Sequence, residues 1–164
     1  MTPSATPAPE WRVQRWFNTR QVPSVASLRG KVIVLEAFQM LCPGCVSEGL
    51  PQAQRVRASF SPEQVAVVGL HTVFEHHQAM TPVALEAFLH EYRIGFPVAV
   101  DLPDPQGAVP CTMRDYGMRG TPTLVLIDAQ GCIRQQHFGK VGDLVLGAQI
   151  ALLIAEAGHS TAGG

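Results

Sequence analysis

The chain is read as an α/β protein in which helices cover both faces of a central mixed sheet. Three observations carry this reading. Continuous β-branched and apolar runs stand at "KVIVLEAF" (31–38), "VAVVGLHT" (65–72) and "FPVAVD" (96–101), as expected for strands buried on both faces. Helical spacing fills the intervals between them. A hairpin and a final apolar helix then close the chain. The 164 residues, 46% hydrophobic and 15% charged, provide for about one domain. The opening "MTPSATPAP" is too poor in large apolar side chains to pack. Residues 1–10 are therefore expected to be a disordered tail, 11–158 the domain, and 159–164 a second disordered tail.

Taken in order, "EWRVQRWFN" and "VPSVASLRG" read as a short edge hairpin or a strand and loop, with Trp11 and Trp16 packing beneath it. The strand at 31–38 is the most apolar of the chain and is placed at the centre of the sheet. It ends at "LCPGC", after which Val46, Leu50, Ala53, Val56 and Phe60 recur at helical spacing, with Pro51 predicting a kink. In "TPVALEAFLHEY", Thr81 is the N-cap, Pro82 the first helical residue, and Leu85, Phe88, Leu89 and Tyr92 the buried stripe. Asp101 and Asp104, beside Pro103 and Pro105, read as turn chemistry. "PTLVLID" (122–128) and "CIRQQHFG" (132–139) form the hairpin, and the last helix runs from about Asp143 to Ala157, stopped by Gly158.

Bulk properties exclude several classes. A formal charge of −1 offers no general attraction to nucleic acid. The longest apolar run, "LVLGAQIALLIAEA", is short for a bilayer and is interrupted by Gly147 and Gln149, so no membrane span is expected. No basic stretch followed by an apolar run opens the sequence, which points to the cytoplasm, or to the periplasm if a leader has been removed. Four cysteines are too few to staple a chain of this size.

Cys42 and Cys45 therefore form a redox couple, half of a metal site, or two thiols at a turn. Their setting favours the first. A thiolate is the attacking species in disulfide exchange, and the first turn of a helix supplies unpaired N–H groups that stabilise it at Cys42. Cys45, one turn on, can reach back to close the disulfide. Pro43 suits the first helical position, and Gly44 lets a partner's backbone come close. Far away in sequence, Thr121–Pro122 opens a strand after a glycine-containing loop, a candidate cis bond that would turn the Thr121 backbone towards the cysteines and an incoming extended chain. Glu36 lies six residues before Cys42 in an otherwise apolar strand. It either points into a solvated edge or lies buried towards the following helix, where a raised pKa would suit it to exchange a proton with Cys45.

"LRGKVIVLEAFQMLCPGC" followed by "YGMRGTPTLVLID" resembles the thioredoxin-like fold, a three-layer α/β/α sandwich, and within it the TlpA/ResA-like, redoxin (AhpC/TSA-related) thiol–disulfide oxidoreductases. The likeness runs from about residue 11 to 157, after an N-terminal extension, and the stretch from His71 to Asp101 is similar to the strand-helix insert of the TlpA-like branch. The resemblance implies Cys42 as nucleophile, Cys45 as resolving cysteine, Pro122 as cis-proline and Glu36 as buried acid. It implies a protein disulfide or dithiol as substrate, together with an electron donor or acceptor, and no cofactor. Leu41 stands where the family usually has an aromatic residue.

Two rival readings use the same residues. A peroxiredoxin would carry Pro-x-x-x-Thr before its cysteine, and Leu35 and Gln39 occupy those positions. A copper or zinc chaperone would add Glu75, His76 or His77 to the thiolates, but adjacent loop histidines are more often solvated. No metal site is expected. Cys111 and Cys132 are expected to be inert small hydrophobes and His71, His90, His137 and His159 structural or surface residues. The last helix is apolar nearly all round, with Leu144, Val145, Leu146, Ile150, Leu152, Leu153 and Ile154, so one face would cover the sheet and the other suggests a weak homodimer.

Overall fold

The computed structural model describes residues 5–163. Its strands are β1 (Thr6–Pro7), β2 (Val13–Phe17), β3 (Val32–Phe38), β4 (Val65–His71), β5 (Val98–Asp101), β6 (Thr123–Ile127) and β7 (Cys132–Phe138). They form one sheet in the order β1-β7-β6-β3-β4-β5-β2. β3 runs parallel to β4 and antiparallel to β6, and β4 runs parallel to β5, so the sheet is mixed, with β3 buried along its whole length.

The two faces of β3 separate cleanly. Val32, Val34 and Phe38 join Leu50, Ala53 and Val56 of α1 (Leu50–Ser59), Leu85 and Leu89 of α2 (Pro82–Glu91), and Leu146, Ile150 and Leu153 of α4 (Asp143–Ala162). Ile33, Leu35 and Ala37 join Met113 of the short α3 (Cys111–Asp115), with Tyr116, Met118 and Val25. Two-residue alternation is the cause, and it places Glu36 on the α1 face. Trp11 and Trp16, their rings 6.0 Å apart, pack on the second layer. Tyr116 ties that layer down by accepting a hydrogen bond from Trp11 Nε1 at 3.0 Å and donating to Pro9 O at 2.6 Å.

Several expectations need correction. The segment expected to be a tail is paired from Thr6: β1 lies against β7, and the Ala8 N–H donates to Gly131 O at 2.9 Å. An unpaired sheet edge accepts even a Thr-Pro segment, because proline is tolerated at an edge. Residues 1–4 and 164 lie outside the described residues. β2 forms no local hairpin but crosses the molecule to pair antiparallel with β5. α3 falls where the sequence reading had only loop. Asp101 builds it, accepting from Thr112 N at 2.8 Å, Met113 N at 3.0 Å and the Thr72 hydroxyl at 2.9 Å. Asp104 does make the expected turn, accepting from Gln106 N at 3.0 Å.

Instead of a simple kink at Pro51, a π-helical turn (Cys45–Gly49) leads into α1. Proline lacks the N–H that would continue the regular ladder, and the widened turn precedes it. Tyr92 is 52% exposed and stacks on Phe88, so the buried stripe of α2 is narrower than expected. α4 continues through Gly158 to Ala162, since an isolated glycine costs a helix only about 1 kcal/mol. At 20 residues it is long and apolar enough to cross a membrane, by length and composition alone. Here Leu146, Ile150 and Leu153 cover the sheet, while Leu144, Val145 and Leu152 are exposed.

Candidate active site

The segment leaving β3 is pinned before it reaches the cysteines. Phe38 O accepts from Thr72 N at 3.1 Å, Gln39 Oε1 from Phe74 N at 3.2 Å, and His71 Nε2 from Met40 N at 3.3 Å. Cys42 N then donates to Gln39 O at 3.2 Å, turning the chain into the helix. Cys42 and Cys45 are joined as a disulfide, their Cα atoms 5.2 Å apart. The two sulfurs differ in access: Cys45 is fully buried, whereas Cys42 is half-buried. The Cys45 N–H points at Cys42 Sγ from 3.2 Å, the first-turn donor that the sequence placed there.

The distant loop closes over this turn. Thr121–Pro122 is cis, and the Thr121 carbonyl oxygen lies 3.5 Å from Cys42 Sγ. Pro122 O accepts from Gly139 N at 2.8 Å, fixing the loop to the end of β7. Gly44 faces Pro122: a Cβ there would sit 3.4 Å from Pro122 Cδ, an ordinary contact, so this glycine is not required to make room for the proline. Pro43 and Leu41 are exposed, Leu41 to 58%, and form the apolar rim beside Cys42.

Glu36 is 1% exposed, which removes the solvated-edge alternative. It packs against Gly49, where a Cβ would overlap Glu36 Oε1. Gly49 lies one helical turn beyond Cys45, so the acid sits beneath the turn that carries the buried cysteine. Among the described residues Oε1 has no hydrogen-bond partner, and burial pushes the carboxyl well above the usual carboxylate range.

Of the histidines expected to be structural or surface residues, His71 is structural, and the sequence reading did not foresee that it holds the segment leading to the cysteines. It is 1% exposed, its ring centroid lies 5.2 Å from that of Phe38, and burial lowers its pKa to about 4. A neutral imidazole accepting at Nε2 holds its proton on Nδ1. The signal was its position at the end of a buried strand next to the strand bearing the cysteines. Gly49, whose missing side chain leaves room for the Glu36 carboxyl, was also missed, although its four-residue spacing from Cys45 pointed to it.

At the positions a peroxidatic motif would use, Leu35 is core and Gln39 is a buried amide bonded to the Phe74 backbone. Glu75 reaches Gln39 Nε2 at 3.5 Å. Among the described residues, no three His, Cys, Asp or Glu side chains come together as a metal-holding group. Cys111 is buried and Cys132 half-buried, and neither is in a disulfide.

Comparison with known proteins agrees with this geometry. Residues 5–136 match the AhpC/TSA family. The chain belongs to that family. A crystal structure of a thioredoxin-like superfamily protein superposes with a TM-score of 0.90 at 63% identity, covering 92% of this chain and 97% of that one. A thiol-disulfide isomerase from Corynebacterium glutamicum gives a TM-score of 0.87 at 50% identity, with 91% and 96% coverage. The thiol:disulfide interchange protein DsbE of Allochromatium vinosum is 27% identical over 149 residues, 91% of this chain and 74% of that protein. Protein DipZ of Mycobacterium bovis is 28% identical over 127 residues, and the matched part spans only 17% of its length. Family, fold and the closed CxxC pair place this domain among the thioredoxin-like thiol–disulfide oxidoreductases.

Proposed function

We propose that the protein exchanges disulfides with protein substrates, with Cys42 as the attacking thiolate and Cys45 as the resolving cysteine. The observation that carries this assignment is the difference in access: an incoming sulfur reaches half-buried Cys42 and cannot reach Cys45, which is fully enclosed. In the reduced enzyme, the Cys42 thiolate is stabilised by the Cys45 N–H and attacks one sulfur of the substrate disulfide. A Cys42–substrate disulfide forms, and the other substrate sulfur leaves as a thiolate that takes a proton from water. In the molecules in which Glu36 is ionised, its carboxylate takes the proton of Cys45, and the Cys45 thiolate attacks Cys42 Sγ. The Cys42–Cys45 bond forms, the second substrate thiolate leaves, and two electrons have passed from the enzyme dithiol to the substrate. The reverse sequence oxidises a substrate dithiol.

Substrate placement in this reading falls to Thr121, Pro122, Pro43 and Gly44. The Thr121 carbonyl, adjacent to Cys42 Sγ, is the acceptor for an extended chain laid across the site, and Leu41 and Pro43 supply apolar contact. An electron donor or acceptor resets the pair through the same mouth. Self-association, through the exposed Leu144, Val145 and Leu152 of α4, is part of the same proposal and is tested by light scattering over a concentration series.

The test is trapping with an aromatic disulfide, dithiobis(nitrobenzoate), using reduced protein in a Cys132→Ser background so that the remaining free thiol is the buried Cys111. Cys45→Ser retains the probe as a stable mixed disulfide, while the unsubstituted pair releases it and closes. If Cys42→Ser reacts as fast as the intact pair, the assignment of the nucleophile is wrong.

A further inference from the structure

The loop that carries Thr121 and Pro122 also borders an open recess of about 390 Å³ beside the start of β6 and the end of β7. Arg119 of that loop, Thr123 of β6, and Gln136, His137 and Phe138 of β7 line it, with Lys140 just beyond; among the described residues no carboxylate does. Backbone joins the recess to the cysteines. Arg119 stands two residues before Thr121, a span of at most about 7 Å, and the Thr121 carbonyl oxygen lies 3.5 Å from Cys42 Sγ. Gly139 N donates to Pro122 O at 2.8 Å, which holds the end of β7, and Lys140 after it, against the same loop.

The two cations of the recess differ. Lys140 Nζ donates to Glu48 Oε1 at 3.1 Å, so its charge already has a partner. Arg119 is exposed and, among the described residues, makes no ion pair; its guanidinium carbon lies 5.3 Å from the centroid of the Phe138 ring. An aromatic face holds a cation in place without neutralising it. Gly120 lets the ring lie against the loop, since a Cβ there would fall 2.9 Å from Phe138 Cε2. The remaining polar groups are engaged within the protein. Gln136 Nε2 donates to Tyr116 O at 3.2 Å, the Thr123 hydroxyl donates to Gly120 O at 2.6 Å, and His137 Nε2 meets Gln149 Oε1 at 2.7 Å. The recess thus offers one unanswered positive charge and an aromatic face, a short step along the chain from the reactive sulfur.

We propose that this recess is a specificity subsite for the substrate chain, in which Arg119 takes a carboxylate carried close to the substrate cysteine. The inference rests on the reading that Cys42 attacks a substrate disulfide, and it narrows the substrate class to proteins with an Asp or Glu near the reactive cysteine. An extended chain laid against the Thr121 carbonyl runs beside Arg119. Its residue two positions from the cysteine lies about 7 Å on, the same span that separates Arg119 from Thr121. The guanidinium fork can take both carboxylate oxygens, and the Phe138 ring, 52% exposed, is free to cover the methylene groups behind them. Pairing here moves no electrons and no protons; it raises the rate at which the Cys42–substrate disulfide forms.

The experiment follows formation of that disulfide by stopped flow. Short peptides, each with its single cysteine activated as a disulfide with thionitrobenzoate, carry Glu, Gln or Lys two residues before or two residues after the cysteine. Reduced full-length protein in the Cys132→Ser background is mixed with each, and release of coloured thionitrobenzoate gives the second-order rate. In at least one register the Glu peptide reacts about two- to fivefold faster than its Gln counterpart and the Lys peptide more slowly, the size of effect an exposed ion pair gives. Salt at about 1 M removes the preference. Arg119→Glu reverses the order, and Arg119→Lys, which keeps the charge, leaves Glu ahead of Gln. Arg119 is exposed, so folding is retained, and circular dichroism checks it. Equal rates for all peptides in both registers, or a preference for Glu that survives in Arg119→Glu, refute the subsite and leave Cys42 its role. If no peptide reacts faster with the intact pair than with Cys42→Ser, the reading beneath the proposal fails as well.

Discussion

Acidification should destabilise this protein through one histidine. His71 is buried at the end of β4, accepts the Met40 N–H at Nε2 and has a pKa lowered to about 4 from 6.5. The unfolded chain therefore binds a proton at His71 across that window while the folded chain does not, and stability falls as pH drops from 6.5 towards 4. At about 1.4 kcal/mol per decade of proton affinity, the full window is worth about 3 kcal/mol, and the fall from about pH 7 to about pH 5 about 2 kcal/mol. Glu36 and Asp101, both raised by burial, contribute with the opposite sign over their own windows, losing stability as pH rises. They are the same in a His71→Gln variant, which keeps an acceptor for Met40 and cannot titrate. Urea unfolding of both proteins at a series of pH values isolates the histidine as the difference between the curves. Parallel curves would show that His71 is not held neutral, and the account of how β4 fixes the cysteine segment would fail with it.

Other outcomes follow from the same geometry. Asp101→Ala leaves two backbone N–H groups of α3 and the Thr72 hydroxyl without their buried acceptor. It should cost about 3 kcal/mol in urea unfolding; a cost near zero would remove Asp101 as the cap of α3. Gly49→Ala should cost about 1–3 kcal/mol through overlap with Glu36, and Glu36→Ala should relieve about 1 kcal/mol of it in a double-mutant cycle. Additive costs would mean the two residues do not share that space. Glu36→Gln should be stabilised relative to the parent more at alkaline than at acid pH. The parent's unfolded carboxyl ionises above 4.5 while the folded one stays protonated, and stability is lost as pH rises through that window. A pH-independent difference in melting temperature would contradict this. Alkylation of the reduced protein should report a Cys42 midpoint below the ordinary thiol value of about 8.5. A midpoint at or above it would mean that the Cys45 N–H does not stabilise the thiolate.

Much of the site was legible because its parts obey local rules. The alternation along β3 put Glu36 on the same face as Val34 and Phe38, and Val34 and Phe38 do pack with α1. A proline at N1 and an apolar run ending at two cysteines announced a strand-to-helix turn, and Gly-Thr-Pro at a strand start announced the cis bond. His71 could not be read this way. Its importance comes from the parallel pairing of β3 with β4, which sets Phe38 beside His71. The Asp101 cap was hidden for a similar reason: its backbone donors, Thr112 and Met113, lie eleven and twelve residues on, and the short helix they start has no periodicity to detect.

The sequence by itself determined the alternating strands and helices, the central strand, the redox pair and its proline partner, since each depends on side chains close in the chain or on a strong backbone preference. Tertiary structure decided which sulfur is accessible, where β1 and β2 pair, and what surrounds Glu36. The surroundings of Glu36, for example, come from segments as distant as Gly49, Pro122 and Lys140 lining one cavity, a convergence that depends on chain topology. A pattern of neighbouring residues does not encode it.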